Sequence, residues 1–305
     1  MPRILVLAPP GDPIAAHVTQ VARARDVEVA SFDFHGGVPI AWDGEAWIAG
    51  GQDLASFQGI FVRRMPARGA LLDPDPRASQ AAIEWWRQGI AQSERAEVAE
   101  ACLLDLAARG IRVVNPPSLL DQKSAQLTAF ARAGLPIPRT MITNFAPAAR
   151  AFAADVGIPV AKPVLGGAEA RLLEDLSDTA LAGLAAAPVI LQSRALGPDV
   201  RVTVVAGRVV SAVEIPSSTL DYRSGAEYRA GTLAYVPHAL SGAGHEIAVR
   251  AAALCGHVLS GVDLKAGASG TYTLIEANTS PVYLDIELKT GAGISAAIVD
   301  HLAGA

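Results

Sequence analysis

The residues of this chain best suited to chemistry lie near its C-terminus, in Gly261-Val262-Asp263-Leu264 and Leu274-Ile275-Glu276-Ala277-Asn278-Thr279-Ser280-Pro281. Glu276 and Asn278 stand two apart in a run that reads as a strand, so their side chains leave the same face. Asp263 belongs to the preceding apolar run, joined to it by the Gly-rich segment 267–270. Oxygen-bearing groups therefore converge. Magnesium takes hard oxygen ligands in an octahedron, few of them from protein, and two carboxylates with an amide meet that demand. A plainer arrangement fits the same residues, with Asp263 capping a turn and Glu276 and Asn278 facing water at a strand end.

Residues upstream bear on that choice. Lys123, after Asn115-Pro116-Pro117, and Lys162, in Val160-Ala161-Lys162-Pro163, carry point charges that can reach nucleotide phosphates. Each also fits a solvated surface lysine. Lys162 is the less ordinary, because it follows an apolar strand and precedes Gly166-Gly167, where close backbone approach is expected. The strand end Gln192-Ser193-Arg194-Ala195 can present backbone donors and acceptors to an adenine edge, and Asp199 can accept ribose hydroxyls. Arg201, on the face of Asp199, and Arg223, in Asp221-Tyr222-Arg223, suit stabilisation of charge on a phosphoryl group in transfer. Their alternative is a surface ion pair beside a hairpin. The histidines show no ligand spacing, and we assign none to a metal.

These side chains need elements to hold them. Ile4–Ala8, a helical pattern from Ile14 to about Arg25, and Val27–Phe34 begin a βαβ layer. Gly59–Val62 ends in Arg63-Arg64, helical periodicity runs from Ala78 to about Arg109, and Ile111–Val114 is a further strand. After the Pro break, Ser118–Ala133 reads as a helix ended by Gly134. Short strands follow: Val160–Pro163, Val189–Gln192, Val200–Val205 and Arg208–Ile215, the last two linked by Ala206-Gly207 as a hairpin. Helices over about His245–Val258 and Ile294–Leu302 flank strands at Val262–Lys265 and Thr271–Ala277.

Composition excludes several classes. With 51% apolar and 18% charged residues among 305, the chain can bury a large core, and its net charge of −5 with no basic run gives no general grip on nucleic acid or anionic membrane. Apolar runs are broken well short of spanning length. Two cysteines, Cys102 and Cys255, sit in helical patterns and read as buried reduced thiols, which suits a cytoplasmic location. The apolar composition admits a homodimer.

The order Lys123, Lys162, Gln192, Asp199-Val-Arg201, Asp221-Tyr-Arg223, Gly261-Val-Asp263 and Glu276-Ala-Asn278-Thr-Ser-Pro281 resembles the ATP-grasp superfamily, in its glutathione synthetase and RimK-like branch. The tail Asp285-Ile-Glu287-Leu-Lys289-Thr-Gly291 is similar to RimK-like glutamate ligases. The first block, with Arg63-Arg64 and Glu84-Trp85-Trp86-Arg87, resembles the N-terminal domain of graspetide ligases, which modify peptides.

That resemblance implies an α/β (α+β) fold: an N-terminal α/β domain over 1–115, a central ATP-grasp lobe over 116–190, and a C-terminal lobe over 191–305, the lobes clasping ATP. It implies that Lys123 and Lys162 bind phosphates, that Gln192, Ser193, Arg194 and Ala195 bind adenine, and that Asp199 holds the ribose. Arg201 and Arg223 are then catalytic, and Asp263, Glu276 and Asn278 bind Mg²⁺. Arg63, Arg64, Asp221, Tyr283 and Lys289 are expected to meet a carboxylate-bearing small molecule or peptide. The loop Leu165–Arg171, with Gly166-Gly167, is shorter in glycine than the family's usual lid.

The chemistry expected is ligation. A carboxylate is a poor electrophile, and phosphorylation by ATP gives it a leaving group that an amine or hydroxyl displaces, with no protein nucleophile needed. Modification of a peptide, ligation of a small amino acid or glutamate, a nucleotide-binding sensor or scaffold, and a phosphotransferase are the functions weighed.

Overall fold

Apolar runs bounded by turn formers become strands of four sheets among the described residues. The computed structural model describes residues 1–34, 38–65, 79–165, 169–217 and 219–305, apart from the side chains of Ala82 and Ser269. Two units result, Met1–Pro117 with Ser295–Ala305, and Ser118–Ile294.

The first unit begins with β1 (Arg3–Leu7), α1 (Pro13–Arg23) and β2 (Glu28–Phe32). Asp12 caps α1, its carboxylate accepting from the Ala15 N–H at 2.9 Å, and Pro13 occupies a position where a missing N–H costs nothing. A small antiparallel sheet of β3 (Ile40–Trp42), β4 (Trp47–Ala49) and β5 (Gln52–Asp53) follows, then β6 (Gly59–Val62), the long helix α2 (Gln80–Ala108) and β7 (Arg112–Val114). The main sheet is parallel in the order β2-β1-β6-β7, and β6 is buried along its length, as strands covered on both faces are.

The second unit begins with a short 3₁₀ turn at Leu119–Asp121, closed by a capping box between Ser118 and Asp121, and α3 (Lys123–Arg132). The single helix expected over Ser118–Ala133 is therefore two elements, divided where Gln122 leaves helical backbone. Next come β8 (Thr140–Thr143), α4 (Ala146–Val156), β9 (Val160–Pro163), β10 (Arg171–Leu172), α5 (Asp178–Leu181) and β11 (Val189–Gln192). These strands form a sheet in the order β10-β9-β11-β8. A second sheet, β14-β13-β12-β15-β16, contains β12 (Asp199–Val205), β13 (Arg208–Ile215), β14 (Val236–Pro237), β15 (Leu259–Ala266) and β16 (Tyr272–Asn278). Between them in sequence lie α6 (Ala226–Arg229) and α7 (Gly242–Leu254), and α8 (Leu284–Thr290) follows β16. Ala206 and Gly207, with φ of 48° and 75°, make the tight β12–β13 turn.

Alternation in the second sheet separates core from site. Val200, Val202 and Val204 pack with Val262, Leu264, Leu274 and Ala277 against Ala248, Ala251 and Ala252 of α7 and Phe130 of α3. The intervening Asp199 and Arg201 leave the opposite face. The last helix, α9 (Ile294–Ala303), packs within the first unit, where a Cβ on Gly59 would lie 2.7 Å from the Leu302 carbonyl oxygen. The 191–305 lobe thus gives up its final helix to the N-terminal unit.

Candidate active site

Cross-strand register builds the site. Asp199 pairs with Lys265 and Arg201 with Asp263 across β12 and β15; Asp263 pairs with Glu276, and Gly261 with Asn278, across β15 and β16. The β15–β16 register shifts just after Asp263, where Leu264 opposes Leu274 and Ile275 is the extra residue of a bulge. Leu274 and Ala277 therefore both point into the core, while Ile275 and Glu276 both line the cleft. Strict alternation puts Glu276 and Asn278 on one face, as found, but gives no signal for Ile275, which the bulge brings to the cleft.

The charged groups that this register aligns are paired. Arg201 Nε lies 2.5 Å from Asp263 Oδ1, and Nη2 donates to Asp263 Oδ2 at 3.1 Å and to the Tyr222 hydroxyl at 2.9 Å. A Cβ on Gly261 would come within 2.7 Å of Arg201 Nη1, so glycine there leaves room for the guanidinium. Lys123 Nζ lies 3.0 Å from Glu276 Oε2. Asn278 Nδ2 donates to Asp263 Oδ2 and Glu276 Oε1, both at 3.2 Å. Lys265 Nζ lies 2.9 Å from Asp199 Oδ1, and Arg223 grips Asp221 through Nε at 2.9 Å and Nη2 at 2.8 Å. Asp199 and Arg201 pair with β15 rather than with each other.

Burial and neighbouring charge together shift the two carboxylates in opposite directions. Burial pushes Asp263 above its ordinary value, opposed by Arg201 and reinforced by the facing Glu276 carboxylate. Burial would also raise Glu276, but the Lys123 charge and hydrogen bond, with the Asn278 amide and Lys162, overcome it and hold the group at about 2. Burial lowers Lys162, with Glu276 pulling the other way. Such separation of neighbouring titrations is characteristic of working sites.

The cleft holding most of these groups spans about 820 Å³, counting the space open to solvent. Lys123, Lys162, Asp263 and Glu276 line it, as do Gln192, Ser193, Arg194, Ala195 and Asp199, with an apolar wall from Pro138, Val160, Leu220 and Ile275. Gln192 donates its side-chain amide to Thr140 Oγ1 at 3.0 Å, and the Ser193 N–H goes to the Arg139 carbonyl at 2.9 Å. A second cleft of about 1040 Å³ shares Tyr222 and Arg223 with the first and adds Arg201, Tyr228, Tyr235, Asn278 and Asp285.

The remaining expected residues are placed differently. Tyr283 is 1% exposed, inside the core of its unit. Lys289 Nζ donates to the carbonyls of Gly231 and Leu233 and to Asp285 Oδ2, fastening the 231–233 loop to α8 rather than offering its charge to a ligand. Arg63 is buried in the first unit with Nε 3.2 Å from Asp12 Oδ2, while Arg64 is exposed. Gly166-Gly167-Ala168 lie outside the described residues. His257 is buried between Asp121, at 3.0 Å, and Ser260, at 3.2 Å.

The two sheets of the second unit, with the cleft that both line, define an ATP-grasp fold. The chain belongs to the RimK-like ATP-grasp family, whose domain matches residues 121–302. It is similar throughout to the ATP-grasp ligase PsnB, solved in complex with a minimal precursor: 32% identity, TM-score 0.84, covering 99% of this chain and 98% of that one. The macrocyclase MdnC of Microcystis aeruginosa MRC, bound with precursor peptide MdnA, shares the fold at 20% identity and TM-score 0.76, covering 99% of both chains. Among curated proteins, a probable alpha-L-glutamate ligase of Marinomonas sp. (strain MWYL1) is 28% identical over 191 residues, 59% of this chain. The chain spans 62% of that relative's length. Among the described residues no helix is long and apolar enough to cross a membrane.

Proposed function

We propose that this chain is an ATP-dependent ligase that joins a carboxylate to an amine or hydroxyl of a peptide substrate through an acyl-phosphate. The observation carrying the reading is that two clefts meet at one wall of Tyr222 and Arg223, with Arg201 lining the second cleft beside it. ATP in the first cleft and a substrate carboxylate in the second would bring the γ-phosphorus and the attacking oxygen together there. Lys123 and Lys162 hold the phosphates, the apolar wall takes the purine, and Asp199 receives the ribose.

Magnesium fits the donor set. Asp263 and Glu276 offer hard oxygens, and the Asn278 amide, now donating to both, offers its own oxygen after rotation about its last torsion. Bound there, the ion would neutralise charge on the phosphates. The carboxylate oxygen bonds to the γ-phosphorus as the bridging P–O bond breaks and ADP departs. The nucleophile then bonds to the acyl carbon, inorganic phosphate leaves with the bonding pair, and the nucleophile's proton passes to solvent. Arg223 in the shared wall, and Arg201 donating to the Tyr222 hydroxyl beside it, balance the charge that develops there.

Two features favour a peptide: the second cleft is large and tyrosine-rich, and the PsnB complex holds a precursor. The curated relatives favour a second reading, ligation of glutamate. Incubating the protein with Mg·ATP and either a precursor peptide encoded beside its gene or free glutamate, while following ADP and product mass, decides between them. Loss of 18 Da per bond within the peptide supports the first reading, and glutamate addition the second. Formation of AMP, or a phosphorylated end product, would refute ligation by this route.

A further inference from the structure

A buried amide ties the helix that carries Lys123 to the strand that carries Glu276 and Asn278. Gln126 lies one turn beyond Lys123 on α3 and is 3% exposed. Strand β16 ends its sheet, so one edge of its backbone points away from β15. On that edge Gln126 takes the place of a further strand. The Ala277 N–H donates to Gln126 Oε1 at 2.9 Å, and Gln126 Nε2 donates to the Ala277 carbonyl at 2.8 Å. Nε2 also donates to the Leu120 carbonyl at 3.1 Å, which fixes the amide's orientation.

The position of this clamp matters. Ala277 stands between Glu276 and Asn278, and Lys123 is itself 3.0 Å from Glu276. Helix α3 thus grips the strand end at two points, one through a charge and one through the backbone. An apolar side chain of the same size at 126 would fill the volume but leave the Ala277 N–H and carbonyl unpaired in a buried setting. Rotation of the peptide planes flanking Ala277 would let those groups find partners, and it would also turn the side chains on either side of it.

We propose that Gln126 is a positioning residue for the metal and phosphate end of the cleft, holding the Ala277 peptide so that Glu276 and Asn278 face one cation. The proposal rests on the magnesium–nucleotide reading given above. Calorimetric titration of ADP at increasing Mg²⁺ tests both without needing turnover. In the parent protein ADP affinity should rise with Mg²⁺. If it is indifferent to Mg²⁺, the metal reading itself falls and this proposal with it. Gln126→Leu should need about tenfold or more Mg²⁺ for half-saturation, the range seen when groups that orient metal ligands are removed. Its affinity for ADP without metal should stay within about twofold. Gln126→Glu, which keeps the acceptor and loses the donor, should fall between. A folded Gln126→Leu with a lowered melting temperature and an unchanged Mg²⁺ titration would reduce Gln126 to a stabilising residue and overturn the proposal. Should Gln126→Leu fail to fold, amide hydrogen exchange of the parent decides. Protection of Ala277 comparable to the β15-paired amides of β16 is expected, and exchange at the rate of an open sheet edge would refute the clamp.

Discussion

Replacing Arg201 with methionine removes one member of a buried ion pair while keeping most of its volume. The Arg201 and Asp263 side chains are 8% and 20% exposed and 2.5 Å apart, and the mutation leaves Asp263 opposite Glu276 with Asn278 as its remaining described donor. Breaking a buried pair from one side costs about 3–5 kcal/mol. Asp263 retains some water and can take up a proton, so the lower end, about 3 kcal/mol, is expected. For a cooperative unit of this size that corresponds to a melting temperature lower by about 6–12 °C. The pH dependence has a definite sign. Without the guanidinium the folded-state pKa of Asp263 rises further above its unfolded value of 3.8. A group raised on folding stabilises fully below its unfolded pKa and loses that contribution as pH climbs through the folded one. The deficit of Arg201→Met should therefore be larger at pH 8 than at pH 6, as read by calorimetry on metal-free protein. A melting temperature within about 2 °C of the parent, or a deficit larger at pH 6, would refute the pairing argument.

Three further outcomes follow from the same structure. Glu276 is depressed from 4.5 to about 2, so its contribution is present above pH 4.5 and lost as pH falls toward 2; Glu276→Gln should flatten that acid limb in equilibrium unfolding and abolish ATP turnover. Burial pushes the Cys102 and Cys255 thiols up to about 12, with Asp105 adding to the first and Gln126 opposing in the second. Ellman's reagent should find neither in native protein at pH 8 and both after denaturation, and a prompt native reaction would contradict their burial. Gly197 has φ of +114°, and a Cβ there would lie 1.9 Å from the Ala266 carbonyl oxygen. Gly197→Ala should cost more than about 2 kcal/mol by urea unfolding, since strain and clash add; an unchanged midpoint would show that the β12 entry relaxes freely.

Periodicity made the regular elements legible. The β12–β13 hairpin was visible because Ala206-Gly207 separates two β-branched runs, and the last helix because Ile294, Ile298 and Leu302 recur at helical spacing. Helix α4 went unread because Pro147 and an alanine-rich composition mask its pattern. Helix α8 went unread because its charged face, Asp285 and Lys289, resembled ligand chemistry. Lys289 shows why such residues mislead. A lysine spacing of i,i+4 from an aspartate looks the same whether its ammonium serves a substrate or three oxygens of its own fold. The same holds for Arg63, whose partner Asp12 lies in another element.

Residue type and order point to the candidate site, but its internal pairing comes from register, which sequence does not state. Each charged position of β12 is matched to a residue of β15 carrying the opposite charge, Asp199 with Lys265 and Arg201 with Asp263. A slip of one residue between these strands would turn the alternate set toward the cleft and put valines where the charges are. The Ile275 bulge then resets the alternation on β16, so that one strand end can bury Leu274, offer Ile275 to the apolar part of the cleft and offer Glu276 to its charged part. The charged end of the cleft is therefore a consequence of how three strands are aligned. Substitutions that disturb that alignment from the core side, at Leu264, Leu274 or Ala277, should affect the carboxylates without touching them.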